Sequence, residues 1–183
     1  MPPINPARGA MNSEEKSFDE RVVHVNRVAR VVKGGRRFRF QALVVIGDHK
    51  GKVGIGAAKG ADVTAAVNKA TEVAKKSLVQ VPLHNQTLPH DVQAKVAGAQ
   101  VILMPAAPGT GLIAGSVVRT MLEVAGVTNA LSKSLGSSSR LNMAYATLAA
   151  LEALRPAKDW TQPPAKTAKA SPESLKIQAG QKK

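Results

Sequence analysis

Between residues 37 and 42, apolar and polar positions alternate with the period of a β-strand. Phe38, Phe40, Ala42, Val44 and Ile46 fall on one face, and Arg37, Arg39 and Gln41 on the other. Upstream, Val22, Val23, Val25, Val28, Val31 and Val32 give residues 21–32 the β-branched content of a second strand. Its alternation breaks near Arg27, which predicts a bulge there. Lys33-Gly34-Gly35-Arg36 separates the two runs and predicts a hairpin turn. Gly47-Asp48-His49-Lys50-Gly51 predicts another turn, and Val53, Ile55 and Ala57 continue as a third strand. The period then changes. Val63, Val67, Ala70, Ala74 and Leu78 recur at helical spacing, with Asn68, Lys69, Glu72, Lys75 and Lys76 elsewhere on the cylinder. This first unit therefore reads β-β-β-α, with the helix covering the apolar face of the sheet.

Pro82 and the polar segment 84–90 predict a link to a second unit. Val92, Ala94 and Val96 alternate, Gly98 turns, and residues 101–104 read as a buried strand. Residues 105–111 form a loop, and residues 112–125 a helix stopped by Gly126. A short strand over 128–135 precedes a loop at Gly136-Ser137-Ser138-Ser139, where serine caps a last helix. Leu141, Ala144, Tyr145, Leu148, Leu151 and Leu154 line one face of that helix, which closes before Pro156. The fold class is α+β. Its organisation is a disordered acidic arm over 1–20, units over 21–82 and 83–156, and a low-complexity basic tail over 157–183. Units this small are marginal alone, so they are expected to pack together or to depend on a bound partner.

Composition narrows the function classes. The 183 residues carry 26 Lys and Arg against 12 Asp and Glu, a formal net charge of +14. Nine of those charges sit in residues 21–60, where Asp48 is the sole acid among ten cations: Arg21, Arg27, Arg30, Lys33, Arg36, Arg37, Arg39, Lys50, Lys52 and Lys59. A face kept only for solubility mixes both signs; this concentration points to a polyanion. Absence of cysteine excludes disulfides, thiolate-bound zinc and thiol catalysis. No apolar run approaches a membrane span, and no targeting segment is recognisable, which predicts a cytoplasmic protein.

Two glycine motifs invite an enzymatic reading. Gly109-Thr110-Gly111-Leu112-Ile113-Ala114 satisfies the dinucleotide pattern G-x-G-x-x-A after a strand. The preceding Pro105-Ala106-Ala107-Pro108 lengthens the turn, however, and no Asp or Glu lies between Glu123 and Glu152 to bind a ribose. A loop where glycine admits another chain fits better, with a nucleotide-using enzyme as the alternative. Residues 54–60 lack the Gly-Lys-Ser/Thr of a phosphate loop. His24, His49, His84 and His90 have neither helical metal-ligand spacing nor thiolate partners. No cofactor, metal site or catalytic residue is expected.

RNA gives the hairpin cations a purpose. A glycine turn can enter a groove while flanking Lys and Arg meet phosphates, and about six such contacts give a log–log salt slope of about −4 to −5. Phe38 and Phe40 share the face assigned to the core, so they are not expected to stack on bases. Recognition of RNA shape and backbone is expected instead. A free regulator binding double-stranded RNA is a further alternative.

The run VNRVARVVKGGRRFRFQALVVIGDHKGKVGIGAAKG, followed by GTGLIAGSVVRTMLEVAGV and the Gly136-Ser137-Ser138 loop, closely resembles the bacterial small-subunit ribosomal protein S5 family over residues 20–156. The resemblance implies an N-terminal double-stranded-RNA-binding-like β-β-β-α domain and a C-terminal α+β domain. It implies a place on 16S ribosomal RNA beside proteins S4 and S8, and roles in assembly, decoding accuracy and the path by which mRNA enters. The RNA-binding expectation covers the ten cations, the hairpin glycines Gly34 and Gly35, and Ser138 and Arg140. Thr110, Gly111 and Arg119 are expected to face S4. The tail after Trp160 departs from the family pattern, and it is expected to lie on RNA or in solvent.

Overall fold

A computed structural model of the chain describes residues 18–156. The expectations for residues 1–17 of the acidic arm and for the basic tail lie outside the described residues. The arm is expected to reach residue 20, but Asp19 and Glu20 are strand residues, held in register with Gly47 and Ile46.

The first sheet is antiparallel, with strands β1 (Asp19–Val32), β2 (Gly35–Gly47), β3 (Lys52–Gly60) and β4 (Leu78–Gln80) in that spatial order. Helix α1 (Val63–Lys76) starts at Asp62, whose carboxylate accepts from the Val63 N–H at 2.7 Å. The helix stops two residues before Leu78, because Leu78–Gln80 pairs with β3. The first unit is therefore β-β-β-α-β rather than β-β-β-α. The bulge in β1 falls between Val22 and His24, not near Arg27. It turns Val23 onto the shared core, while Arg27 keeps the strand's alternation.

Both faces of this sheet are covered over its inner half. Ala42, Val44, Ile46 and Ala58 pack under Ala66, Ala70 and Ala74 of α1. Small residues on both sides let the helix lie very close: a Cβ on Gly56 would stand 1.9 Å from the Ala70 carbonyl oxygen. The opposite face, with Leu43, Val45, Val53 and Ile55, joins the core of the second unit. Double burial explains why residues 42–46 are apolar without a break, as in any strand covered on both sides.

The second unit comprises β5 (Val92–Val96), β6 (Ala99–Pro105), β7 (Leu112–Ile113), α2 (Ser116–Ala125), β8 (Ala130–Gly136) and α3 (Arg140–Glu152). Its sheet runs β5-β6-β8-β7, with β7 parallel to β8 and joined to it through α2. The helix expected from residue 112 starts at Ser116, because Leu112 and Ile113 pair with Ala130 and Leu131. Val101, Leu103, Met121, Leu122 and Leu151 fill the core beneath α2 and α3. Within the link between the units, residues 84–87 form a tight turn bonded at both ends. The carbonyl of Gln86 accepts the Thr128 N–H at 2.9 Å, and Leu88 is buried. The two units thus share one core.

Candidate nucleic-acid interface

Helix α1 covers the sheet only from about Ala42 onward, so the outer half of the β1–β2 hairpin projects with both faces in solvent. The register sorts its cations by face. Arg30 pairs directly with Arg37, Val28 with Arg39, and Gln41 with Lys59. Arg30, Arg37, Arg39 and Lys59 therefore share the face turned away from α1, where they line a groove of about 290 Å³ with Val28 and Ala29. Like charges directly opposite on a sheet are destabilising. None of the four takes part in an ion pair among the described residues. Such a cluster stores repulsion that a bound polyanion would relieve.

The same face leads into a cleft of about 600 Å³. His24, Asn26, Gln41 and Leu43 form its sheet wall, and Ser138, Ser139, Arg140 and Leu141 form the other at the start of α3. Nη1 of Arg140 lies 2.8 and 2.9 Å from the ring nitrogens of His24. Ser139 is the N-cap residue, but its side chain makes no capping bond; the Ser137 hydroxyl accepts the Ser139 N–H at 3.2 Å. First-turn N–H groups carry the positive end of the helix dipole. From Arg30 and Arg37 to His24 and Leu43 is six residues of strand, roughly 20 Å. No acidic side chain lines the groove or the cleft, and the two make a track suited to a phosphate backbone.

The remaining expected residues divide between three places. Lys33, Gly34 and Gly35 form the hairpin tip, where Gly34 has φ 90°. Arg36 and Arg27 lie on the α1-side face with Phe38. The ring of Phe38 is not in the core: it is 46% exposed, with the Arg27 guanidinium 3.6 Å from its centroid. Phe38 has the parity of the core face, but it lies beyond the end of the helix that covers that face.

Lys50 and Lys52 belong to the far end of β2, roughly 40 Å from the tip at the rise of an extended strand. Lys33, Arg36, Arg37, Arg39, Lys50 and Lys52, the cations that frame the two glycine turns, therefore do not form one patch. The turn they flank is an interdomain joint: the N–H groups of His49 and Gly51 donate to the carbonyls of Val124 and Ala125 at 3.0 and 2.9 Å, meeting the open C-terminus of α2. Inside the turn, Oδ1 of Asp48 accepts from the N–H groups of Lys50 and Lys52 at 2.8 and 2.9 Å. Burial pushes the Asp48 carboxyl up, but those bonds outweigh it and hold the group below its ordinary value.

Arg21 joins the same joint. It bonds Asp19 at 3.0 Å and also Glu123, which in turn accepts from Arg119 at 2.9 Å. His49 spans Asp19 and the Glu123 carbonyl at 3.1 and 2.9 Å. The Arg119 hydrogen bond leads in lowering the Glu123 carboxyl, against burial and with help from Arg21. Arg21 is thus committed to acids of both units.

Thr110 and Gly111 lie in the glycine loop before β7. There Oδ1 of Asn129 accepts the N–H groups of Gly109 and Gly111 at 3.1 and 3.0 Å. A pyrophosphate would need those N–H groups, and the glycines lead into a strand rather than a helix. The dinucleotide reading has no support in this geometry. Among the described residues no group of three acids or histidines is placed to hold a metal, and no helix is long and apolar enough to cross a membrane.

Sequence reasoning passed over His24 and Asn26 as site residues. Asn26 could have been found by carrying the two-residue step back from Arg30 through Val28. His24 and Asn129 give no local signal, since their roles depend on α3 and on the glycine loop.

A family model described as "Ribosomal protein S5, N-terminal domain" matches residues 18–82, and another, "Ribosomal protein S5, C-terminal domain", matches residues 94–163. The chain is 53% identical over 144 residues to a protein named "Small ribosomal subunit protein uS5" from Treponema pallidum, covering 79% of this chain and 84% of that protein. It is 50% identical over 145 residues to the protein of the same name from Thermus thermophilus, covering 79% and 90%.

Proposed function

The chain belongs to the ribosomal protein S5 family, and from that premise we propose that it is a structural protein of the small ribosomal subunit, resident in the cytoplasm, that binds 16S ribosomal RNA. The observation that carries the RNA reading is the row Arg30, Arg37, Arg39 and Lys59, four cations on one sheet face without an ion-pair partner among the described residues. The groove takes the RNA backbone, the tip at Lys33-Gly34-Gly35 enters a groove of the RNA, and Ser138 and Arg140 hold phosphate beside α3. This is the manner of a double-stranded-RNA-binding-like domain, which reads helical shape and backbone more than sequence. Arg27 and Arg36 serve on the other face of the hairpin, and Lys50 and Lys52 meet RNA only where it wraps past the interdomain joint. Arg21, held by Asp19 and Glu123, acts on RNA binding through the set of the two units rather than by contact.

On this reading Thr110, Gly111 and Arg119 face S4, and S8 is a second protein neighbour. The protein supports subunit assembly, decoding accuracy and the path by which mRNA enters. It needs no cofactor and performs no catalysis.

Sedimentation of tagged chain from lysate through a high-salt sucrose gradient tests the reading. Wild type is expected to move with small subunits, and Arg37→Ala/Arg39→Ala/Lys59→Ala to remain nearer the top. Wild type staying at the top would overturn the ribosomal assignment. Specific micromolar binding of NAD or ATP in equilibrium dialysis, surviving about 0.2 M salt where charge screening is strong, would favour the nucleotide-using enzyme instead.

A further inference from the structure

Phe38 is left outside both cores. Its direct register partner, Ala29, is too small to cover it. Its diagonal neighbour Val31 is 77% exposed. Arg27 and Arg36 stand in the same row of the hairpin, and neither makes an ion pair among the described residues. The Arg27 guanidinium instead rests against the Phe38 ring. An exposed ring at the tip of a projecting hairpin adds little to folding, and an unneutralised field around it disfavours cationic partners. Both features suit a partner that is flat, apolar on its faces and carried on an anionic chain.

We propose that the Arg27–Phe38 pair is a stacking site for one unpaired RNA base, on the hairpin face opposite the cationic groove. The proposal rests on the RNA-binding reading and deepens it: the groove holds backbone, and this pair takes a base. Ring and guanidinium both offer π surface to a nucleobase, and their contact in the free protein leaves less side-chain freedom to lose on binding. Bases inside a duplex are already stacked, so the site selects a bulge, loop or junction. Every base has a π face, so the site is tolerant of base identity.

The test is titration of the full chain and its variants with a transcript of small-subunit ribosomal RNA at several salt concentrations. Phe38→Ala is expected to weaken binding about 5- to 100-fold, the range seen when one stacked base loses its aromatic partner, with the salt slope unchanged because no cation is removed. Phe38→Leu, which keeps apolar bulk, is expected to show a similar loss. Phe38→Trp in a Trp160→Phe chain is expected to retain affinity, with its indole fluorescence quenched on RNA binding. Circular dichroism checks that each variant is folded. Phe38→Ala or Phe38→Leu binding within about two-fold of wild type, under 0.5 kcal/mol, overturns the proposal, as does an unquenched indole on saturated RNA. A retained Phe38→Leu affinity beside a weakened Phe38→Ala would mark plain apolar contact, as with a protein neighbour. Failure of the wild-type chain to bind at all overturns the ribosomal reading and this one together, and it is told apart because there is then no affinity to compare.

Discussion

Replacing Arg37 by glutamine is expected to weaken RNA binding and, at low salt, to stabilise the free protein. Arg37 faces Arg30 directly across the hairpin, with Arg39 two residues along and Lys59 on the next strand. Two unit charges about 7 Å apart in a water-like medium repel by about 0.6 kcal/mol. Directly opposed like charges on a sheet cost a comparable 0.2–1 kcal/mol or so. Arg37→Gln keeps most of the side-chain length and removes that repulsion. The gain should raise the melting temperature by about 1–3 °C, and it should shrink at about 0.5 M salt, where the screening length falls to about 4 Å. Binding should move the other way, with the log–log salt slope reduced by about 0.7–0.9 for one lost phosphate contact. Differential scanning calorimetry at two salt concentrations and an RNA titration read both effects. A lower melting temperature at low salt would show that Arg37 is a structural residue. An unchanged salt slope would show that the groove is not where RNA lies.

Three further outcomes follow from the geometry. Gly56→Ala drives a methyl group to 1.9 Å from the Ala70 oxygen and 2.7 Å from the Ala74 nitrogen. Both are backbone atoms, so a destabilisation of about 3 kcal/mol or more is expected in denaturant melts. In Gly34→Val the new Cβ meets no atom within 4 Å, but the residue must hold φ 90°. It should cost about 1–2 kcal/mol from backbone strain alone, and Gly34→Asn, tolerant of that region, should cost less. Glu123 is depressed in the fold below its ordinary 4.5, so its contribution is complete above pH 4.5 and lost as pH falls through the lower folded value. Glu123→Gln should therefore flatten the acid side of the stability profile, with a neutral-pH loss under about 1 kcal/mol for partly exposed pairs.

Much of the fold could be read from local patterns because most elements have a single period. The run from Arg37 to Ala42 alternates, the glycine pair after Lys33 turns, and Gly126 ends α2 with φ 90°. Errors came where a short segment satisfied two readings. Leu112 and Ile113 suit the first turn of a helix as well as a strand, and only pairing with β8 decides between them. Leu78 continues the apolar stripe of α1, yet the chain gains more by pairing with β3. The candidate site was legible as a list of cations but not as a surface. Sequence distance put Lys50 and Lys52 beside Arg36 and Arg37, whereas a thirteen-residue strand separates the two turns. Phe38 has the parity of a core residue, and no local pattern says where the covering helix stops.

The two ends of β2 show how one charge excess serves two purposes. At the inner end, Arg21 and Arg119 meet Asp19 and Glu123, and the backbone of the Asp48–Gly51 turn closes the end of α2. There Arg21 and Arg119 are matched by acids, and the groups fix one unit against the other. At the outer end, Arg27, Arg30, Arg36, Arg37 and Arg39 make no ion pair among the described residues, and no core lies beneath them. A protein that used all its basic residues for stability would pair both ends alike. On the RNA-binding reading, the inner joint sets the angle at which the hairpin is presented. On that reading, weakening the joint through Glu123 should disturb RNA binding without touching any of the hairpin cations.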